Sequence, residues 1–240
     1  MPHTHNNNHK KIINLPSVDL SVQPLTTEEL DRSVNQTIDN STKEFVRGLR
    51  FIKDHPKSVT FFGSARLKEN DRYYQKARRL GAKLGELGYS IVTGGGPGIM
   101  EAGNRGAYEV GSESLGLTIE LPGEQNVNPY VKEHVPFYYF FTRKVCLTFS
   151  AEAYLYFPGG FGTLDEFFEI LTLVQTHKIK QVPLILVGSE FWSPLDEFIT
   201  EHLYKEFKTV GKDDASLYQV LDDEDEIVNL IKKVPVRRGP

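Results

Sequence analysis

The chain has 240 residues, with 28 Lys and Arg against 32 Asp and Glu and a formal charge of −4. That length suits one large domain, or one domain carrying an extension, and can bury a real core, and the charge gives no electrostatic case for a nucleic-acid partner. No apolar run approaches the roughly 20 residues of a membrane span, the polar start MPHTHNNNHKKIINLP lacks a secretory apolar centre, and the lone Cys146 excludes an internal disulfide and suits a reducing cytoplasm.

Residues 1 to about 24 read as a loose arm rich in Asn, His and Pro, in which His3, His5 and His9 have no preorganised geometry for a metal. Thr26-Thr27-Glu28-Glu29 has the spacing of a capping box and predicts a helix to about Lys53, with Leu30, Val34, Ile38, Phe45 and Leu49 near one face. We therefore expect an N-terminal region over 1–54 and a main domain over 55–240. The helix is expected to pack on that domain or on a second subunit.

From Lys57 strands and helices alternate. Ser58–Phe62 is a short strand, Asp71–Leu87 an amphipathic helix, Tyr89–Thr93 a strand, Ile99–Val110 a helix and Ser114–Ile119 a third strand. A long loop over 121–135 precedes an expected strand Pro136–Phe141 and a helix Arg143–Phe149. Cys146 falls in the apolar pattern of that helix, KVCLTF, with no base nearby, and is read as core. Ala153–Phe157 is a strand, a helix runs from Thr163 to about His177, Val182–Val187 is a strand, and two helices close the chain. Short apolar strands alternating with helices predict an α/β fold, a parallel sheet covered on both faces.

In such a sheet the strand-to-helix loops gather at the carboxyl edge, where ligands bind. Those loops are FGSAR (62–66), TGGGPGIM (93–100), FTRK (141–144) and FPGGFGT (157–163). Gly63-Ser64-Ala65-Arg66 is not a G-x-G-x-x-G fingerprint, and no Walker loop occurs. The glycines at 94–98 could line a ligand or merely allow a tight turn with close helix–sheet approach. The 157–163 loop offers backbone N–H groups, a helix N-terminus and the Thr163 hydroxyl, which together fit a single phosphate. Thr163-x-x-Glu166 is equally the spacing of a capping box.

At these residues the chain resembles the LOG family, once described as lysine decarboxylases. Its two signatures, GGGxxGxM and PGGxGTxxE, stand here as Gly94–Met100 and Pro158–Glu166, with the family's Arg-Lys pair at Arg143-Lys144. The resemblance covers roughly 57–190. It implies a Rossmann-like, doubly wound parallel sheet, a dimer or larger homo-oligomer, and hydrolysis of nucleoside 5′-monophosphates to free base and ribose 5-phosphate. Phe140-Phe141-Thr142 replaces the short plant-type Met-His-x, which with the N-terminal extension looks more like bacterial long-chain relatives and leaves adenine against cytokinin open.

The resemblance makes Glu166 and Arg143 the catalytic candidates, with Glu166 beneath the sugar and Arg143 holding that carboxylate or the nucleotide. Gly159, Gly160, Gly162 and Thr163 would hold the 5′-phosphate, and Gly95, Gly96, Gly98 and Ser64 would line the nucleotide. Lys144 and Arg66 could offset phosphate charge or face solvent, and Asp165 and Glu169 could serve the helix N-terminus. No metal and no organic cofactor is expected. Thr176-His177-Lys178 superficially resembles the setting of a pyridoxal-phosphate lysine, but it falls at a helix end. The competing reading is a nucleotide sensor or carrier without turnover. Against it, binding alone needs no acid beside a phosphate.

Overall fold

The computed structural model describes residues 25–120 and 127–236. The N-terminal arm with its histidines, and the first part of the 121–135 loop, lie outside the described residues. Seven strands form one sheet in which every pairing is parallel: β1 (Ser58–Phe62), β2 (Ser90–Thr93), β3 (Ser114–Ile119), β4 (Glu133–Phe137), β5 (Ala153–Tyr156), β6 (Leu184–Val187) and β7 (Gln219–Leu221). Their order is β4-β3-β2-β1-β5-β6-β7, so the winding reverses between β1 and β5. The helices are α1 (Thr27–Asp54), α2 (Arg72–Glu86), α3 (Ile99–Glu109), α4 (Phe140–Thr148), α5 (Phe161–Gln175), α6 (Ser189–Glu197) and α7 (Glu224–Lys232). A π-helical stretch over Phe198–Glu206 continues α6.

Successive residues of the central strands point to opposite faces and are buried on both. Phe61, Leu155 and Ile185 enter a core built with Leu80 and Leu84 of α2, Ile99 of α3 and Ile227 of α7. Phe62, Tyr156 and Leu186 enter the other, with Leu147 of α4, Phe167 of α5 and Trp192 of α6. Each such side chain contributes about 1.5–3 kcal/mol on burial before entropy is set against it. This two-sided burial is why the strands read as largely apolar runs rather than as polar–apolar alternation.

The described residues up to Ile38 and those from Asp39 onward fall into two compact units. In the first, the capping box is made: Glu29 Oε2 accepts from Thr26 N at 2.9 Å, and Glu29 N donates to Thr26 Oγ1 at 3.3 Å. The expected apolar face of α1 is not its buried one. Leu30, Val34, Ile38 and Leu49 are exposed and Phe45 is half-buried, while the buried stripe is Ser41, Glu44, Gly48 and Ile52. Small and polar side chains there admit close packing: a Cβ on Gly48 would collide with the Cys146 sulfur and the Phe137 ring.

Three further boundaries differ from expectation. The fourth strand is Glu133–Phe137, pairing Leu115↔Glu133 through Ile119↔Phe137, and the aromatic run beyond it starts α4. Helix α5 begins at Phe161, so Thr163 and Glu166 lie inside it and the second capping box does not form; the N-cap position is Gly160, with no side-chain cap. Strand β7, a three-residue edge, was not expected from the sequence.

Candidate active site

The winding reversal between β1 and β5 opens a crevice at the carboxyl edge, the position where open α/β sheets bind ligands. The loops after these two strands are tied together by Ser64 N donating to Pro158 O at 3.0 Å. A cavity of about 1070 Å³ lies there. Its walls include Ser64, Gly94, Arg143, the whole stretch Pro158–Glu166, Phe140 and Phe191.

Helix α5 points its N-terminus into the cavity. Its first N–H groups have no intrahelical acceptor, and the helix dipole adds partial positive charge at that end. A side chain at Gly160 or Gly162 would meet no atom within 4 Å, so both backbone units open onto the cavity. Thr163 is buried but lines the cavity, and Gly159 stands so close to it that any Cβ would strike the Thr163 hydroxyl.

One turn further, Glu166 is 7% exposed, and its Oε2 has no hydrogen-bond partner among the described residues. Burial is the main cause that pushes its carboxyl up to about 7; Arg143 and Lys144 oppose the shift, and Glu169 and Asp165 add to it. Arg143 is half-buried, and its Nε donates to Leu117 O, within β3, at 2.7 Å. Burial works against its charge and Glu166 supports it; a guanidinium keeps its proton under either influence. Gly94 makes room for this arrangement, because a Cβ there would collide with the Arg143 guanidinium and the Met100 sulfur.

A second layer shapes the 94–98 loop. Asn104, fully buried on α3, accepts from Thr93 Oγ1 at 2.6 Å and from Asn128 Nδ2 at 3.0 Å. It donates to Ser114 Oγ at 2.9 Å. Asn128 in turn donates its backbone N–H to Gly95 O and its amide to Gly96 O, at 2.8 and 3.0 Å. Gly98 adopts φ +70° against the backbone of Ser64 and Ala65, a conformation and a proximity that both favour glycine.

The structure thus brings Glu166, Arg143, Gly159, Gly160, Gly162, Thr163 and Ser64 to one cavity. Gly95, Gly96 and Gly98 are buried and are not among its lining residues; the loop contributes Gly94 and Met100 instead. Lys144 does not line it either. Its ammonium stands 2.8 Å from Asp165 Oδ2 and 3.1 Å from Glu169 Oε2. Burial opposes that charge, but the two carboxylates outweigh it and raise the Lys144 pKa. Arg66 does reach the cavity, as do Tyr73 and the 93% exposed Phe161. Arg66 was already a candidate from its loop, and Phe161 had a signal in its place inside the glycine loop; Tyr73 and Phe191, which also line the cavity, had none.

Fold and site together define a Rossmann-like α/β protein whose switch-point cavity joins a glycine-rich helix N-terminus to a buried carboxylate and a guanidinium. A family model described as "Possible lysine decarboxylase" matches residues 100–231. The pyrimidine/purine nucleotide 5′-monophosphate nucleosidase of Escherichia coli is 31% identical over 222 residues, 85% of this chain and 46% of that protein, so this chain spans about half the length of that relative. The cytokinin riboside 5′-monophosphate phosphoribohydrolase of Rhodococcoides fascians is 30% identical over 152 residues, 61% of this chain and 75% of that enzyme. Among solved structures, the molybdenum cofactor carrier protein of Chlamydomonas reinhardtii superposes with a TM-score of 0.53 at 22% identity, over 74% of this chain and 97% of that one, a likeness of fold. The chain belongs to the LOG family, which this model describes. The decarboxylase wording finds no support in the site: no lysine lines the cavity among the described residues, and His177 and Lys178 are exposed in the turn after α5.

Proposed function

We propose that the chain hydrolyses the N-glycosidic bond of nucleoside 5′-monophosphates, releasing free base and ribose 5-phosphate. The observation that carries this reading is Glu166, a buried carboxylate with an oxygen unpartnered among the described residues, one turn beyond an open helix N-terminus and in the same cavity as Arg143. The names of the Escherichia coli and Rhodococcoides fascians relatives support it.

Chemistry follows from the layout. The 5′-phosphate seats on Gly159–Thr163, which fixes the sugar one helical turn along, over Glu166. As the bond from C1′ to the base nitrogen breaks, its electron pair leaves with the base and positive charge develops on the sugar. The ionised Glu166 stabilises that charge and takes a proton from the attacking water, whose oxygen bonds to C1′. The base picks up a proton from solvent, and Glu166 returns its own to solvent. A carboxyl poised near 7 is suited to this work, because it holds the proton firmly enough to remove it from water yet is ionised in a useful fraction at neutral pH. Arg143 sustains the ionised form.

A sensor or carrier would not need this pair, since an acid beside a phosphate weakens binding. Incubating the full chain with AMP, GMP, CMP and a cytokinin riboside monophosphate should release base and ribose 5-phosphate from at least one. Release from none of them overturns the reading. The Glu166→Gln variant should lose nearly all turnover and keep its nucleotide affinity by calorimetry.

The reading extends to a cytoplasmic homodimer or larger homo-oligomer. The single buried cysteine suits a reducing compartment, and no helix among the described residues is long and apolar enough to cross a membrane. Exposed Leu30 and Val34 on α1, and Phe140 and Phe141 on α4, are apolar surface of the kind that subunits bury. Sedimentation velocity of the full chain tests the assembly.

A further inference from the structure

Arg143 depends on a helix, α4, whose own N-terminus lacks a side-chain cap. The cap comes from elsewhere. Glu44, on the part of α1 that belongs to the main body, is 5% exposed and buries its carboxylate against that N-terminus. Its Oε1 accepts from Tyr138 N at 2.8 Å, and its Oε2 accepts from Tyr139 N at 3.4 Å and from the Thr142 hydroxyl. A carboxylate here both satisfies free donors and meets the positive end of the α4 dipole.

From this cap a short chain of bonds leads into the cavity. Tyr139 is the N-cap residue, and its carbonyl accepts from Arg143 N at 3.3 Å. Glu44 therefore takes the N–H of the residue whose C=O takes the N–H of Arg143. At its other end the guanidinium is fixed by Leu117 O and fits only because residue 94 has no side chain. The same face of α1 packs closely on α4 at Gly48, where a Cβ would collide with the Cys146 sulfur.

We propose that Glu44 is a positioning residue for Arg143: capping α4 from α1, it sets where the guanidinium stands beside Glu166. This rests on the hydrolase reading for its kinetic consequence and on geometry alone for its structural one. Arg143 acts while the bond breaks, and the phosphate loop is untouched by the cap. Loss of the cap should therefore lower kcat and kcat/KM together and leave KM nearly unchanged.

The test compares Glu44→Ala, Glu44→Gln and Arg47→Ala in the full chain. Arg47 also anchors this part of α1, donating to Pro136 O at 2.9 Å, but on β4 rather than on α4. Glu44→Ala should cut kcat for AMP roughly tenfold with KM within about twofold, as a misplaced catalytic group does. Glu44→Gln, which keeps one acceptor oxygen, should recover part of that loss. Arg47→Ala should leave kcat at the wild-type value even where its melting temperature falls as far. Hydrogen exchange of the peptide spanning 138–146 should speed up in Glu44→Ala and not in Arg47→Ala. An equal loss of kcat in both alanine variants, or unchanged exchange over 138–146 in Glu44→Ala, overturns the proposal. If the wild type releases no base from any nucleotide, the hydrolase reading fails, and the exchange comparison still decides whether Glu44 orders α4. If Glu44→Ala does not fold, Glu44→Gln against Arg47→Ala carries the same comparison.

Discussion

Replacing Glu166 by Gln should make the protein more stable, and more so at high pH. Glu166 has its carboxyl pushed up to about 7 from an ordinary 4.5, chiefly by burial. A group whose folded pKa lies above its unfolded one gives stability that is fully present below the unfolded value and is lost as pH rises through the folded value. Each unit of difference is worth about 1.4 kcal/mol, so the ionised form costs about 3 kcal/mol above pH 7. At pH 5 the folded side chain is still protonated, and the loss is only about 1 kcal/mol. Glutamine has the same shape and does not titrate. The advantage of Glu166→Gln over wild type should therefore grow by about 2 kcal/mol between pH 5 and pH 8, or about 4–8 °C in melting temperature for a chain of this size. Differential scanning calorimetry of both proteins at the two pH values measures this directly. A gap that is the same at pH 5 and pH 8, or a variant that melts below wild type at pH 8, would refute the argument that burial holds this carboxyl up.

The same carboxyl sets the pH profile: kcat/KM should rise with pH and level off above about 7, falling on the order of fiftyfold from pH 7 to pH 5 as Glu166 takes up its proton. Glu169→Gln removes a neighbouring charge that raises Glu166, so the midpoint should move to lower pH, whereas a midpoint belonging to the substrate phosphate would stay put. Gly94→Ala should lower kcat on the order of tenfold by displacing the Arg143 guanidinium; steady-state kinetics at wild-type level would contradict that contact. Asn104→Ala leaves Thr93 Oγ1 and Asn128 Nδ2 without their shared acceptor and should cost about 2–4 kcal/mol in urea unfolding.

The central strands were legible because each is buried on both faces and so is largely apolar, as in AYLY, while the Ser58 and Thr60 hydroxyls of SVTFF are bonded to Ser150. Edge strands carry no such signature. The start of β4, Glu133-His134, is exposed, and its residues read as loop while the aromatic run PFYYFF looked like strand. That run in fact ends a strand and opens a helix, with Phe140 and Phe141 facing out. Glu166, Arg143 and the 157–163 loop could be found because short segments bring them to the sheet edge. The 94–98 glycines were only half legible. They read as lining or as packing; in the structure Asn128 bonds to the carbonyls of Gly95 and Gly96, Gly98 stands against Ser64 and Ala65, and none of the three lines the cavity. Lys144 looked like a partner for phosphate, but its carboxylate neighbours, Asp165 and Glu169, come from the next helix. Glu44 had no local signal at all. It sits between Lys43 and Phe45 on a helix where an acid looks solvated, and its partners lie 94 to 98 residues away.

Anyone trimming this protein to its sheet would cut before Ser58 and keep every loop of the carboxyl edge. Such a minimal scaffold would retain both glycine signatures and still discard the carboxylate that seats α4. A transplant of this cavity onto another backbone has to bring the second half of α1 with it, as a separate part that no loop-by-loop copy includes.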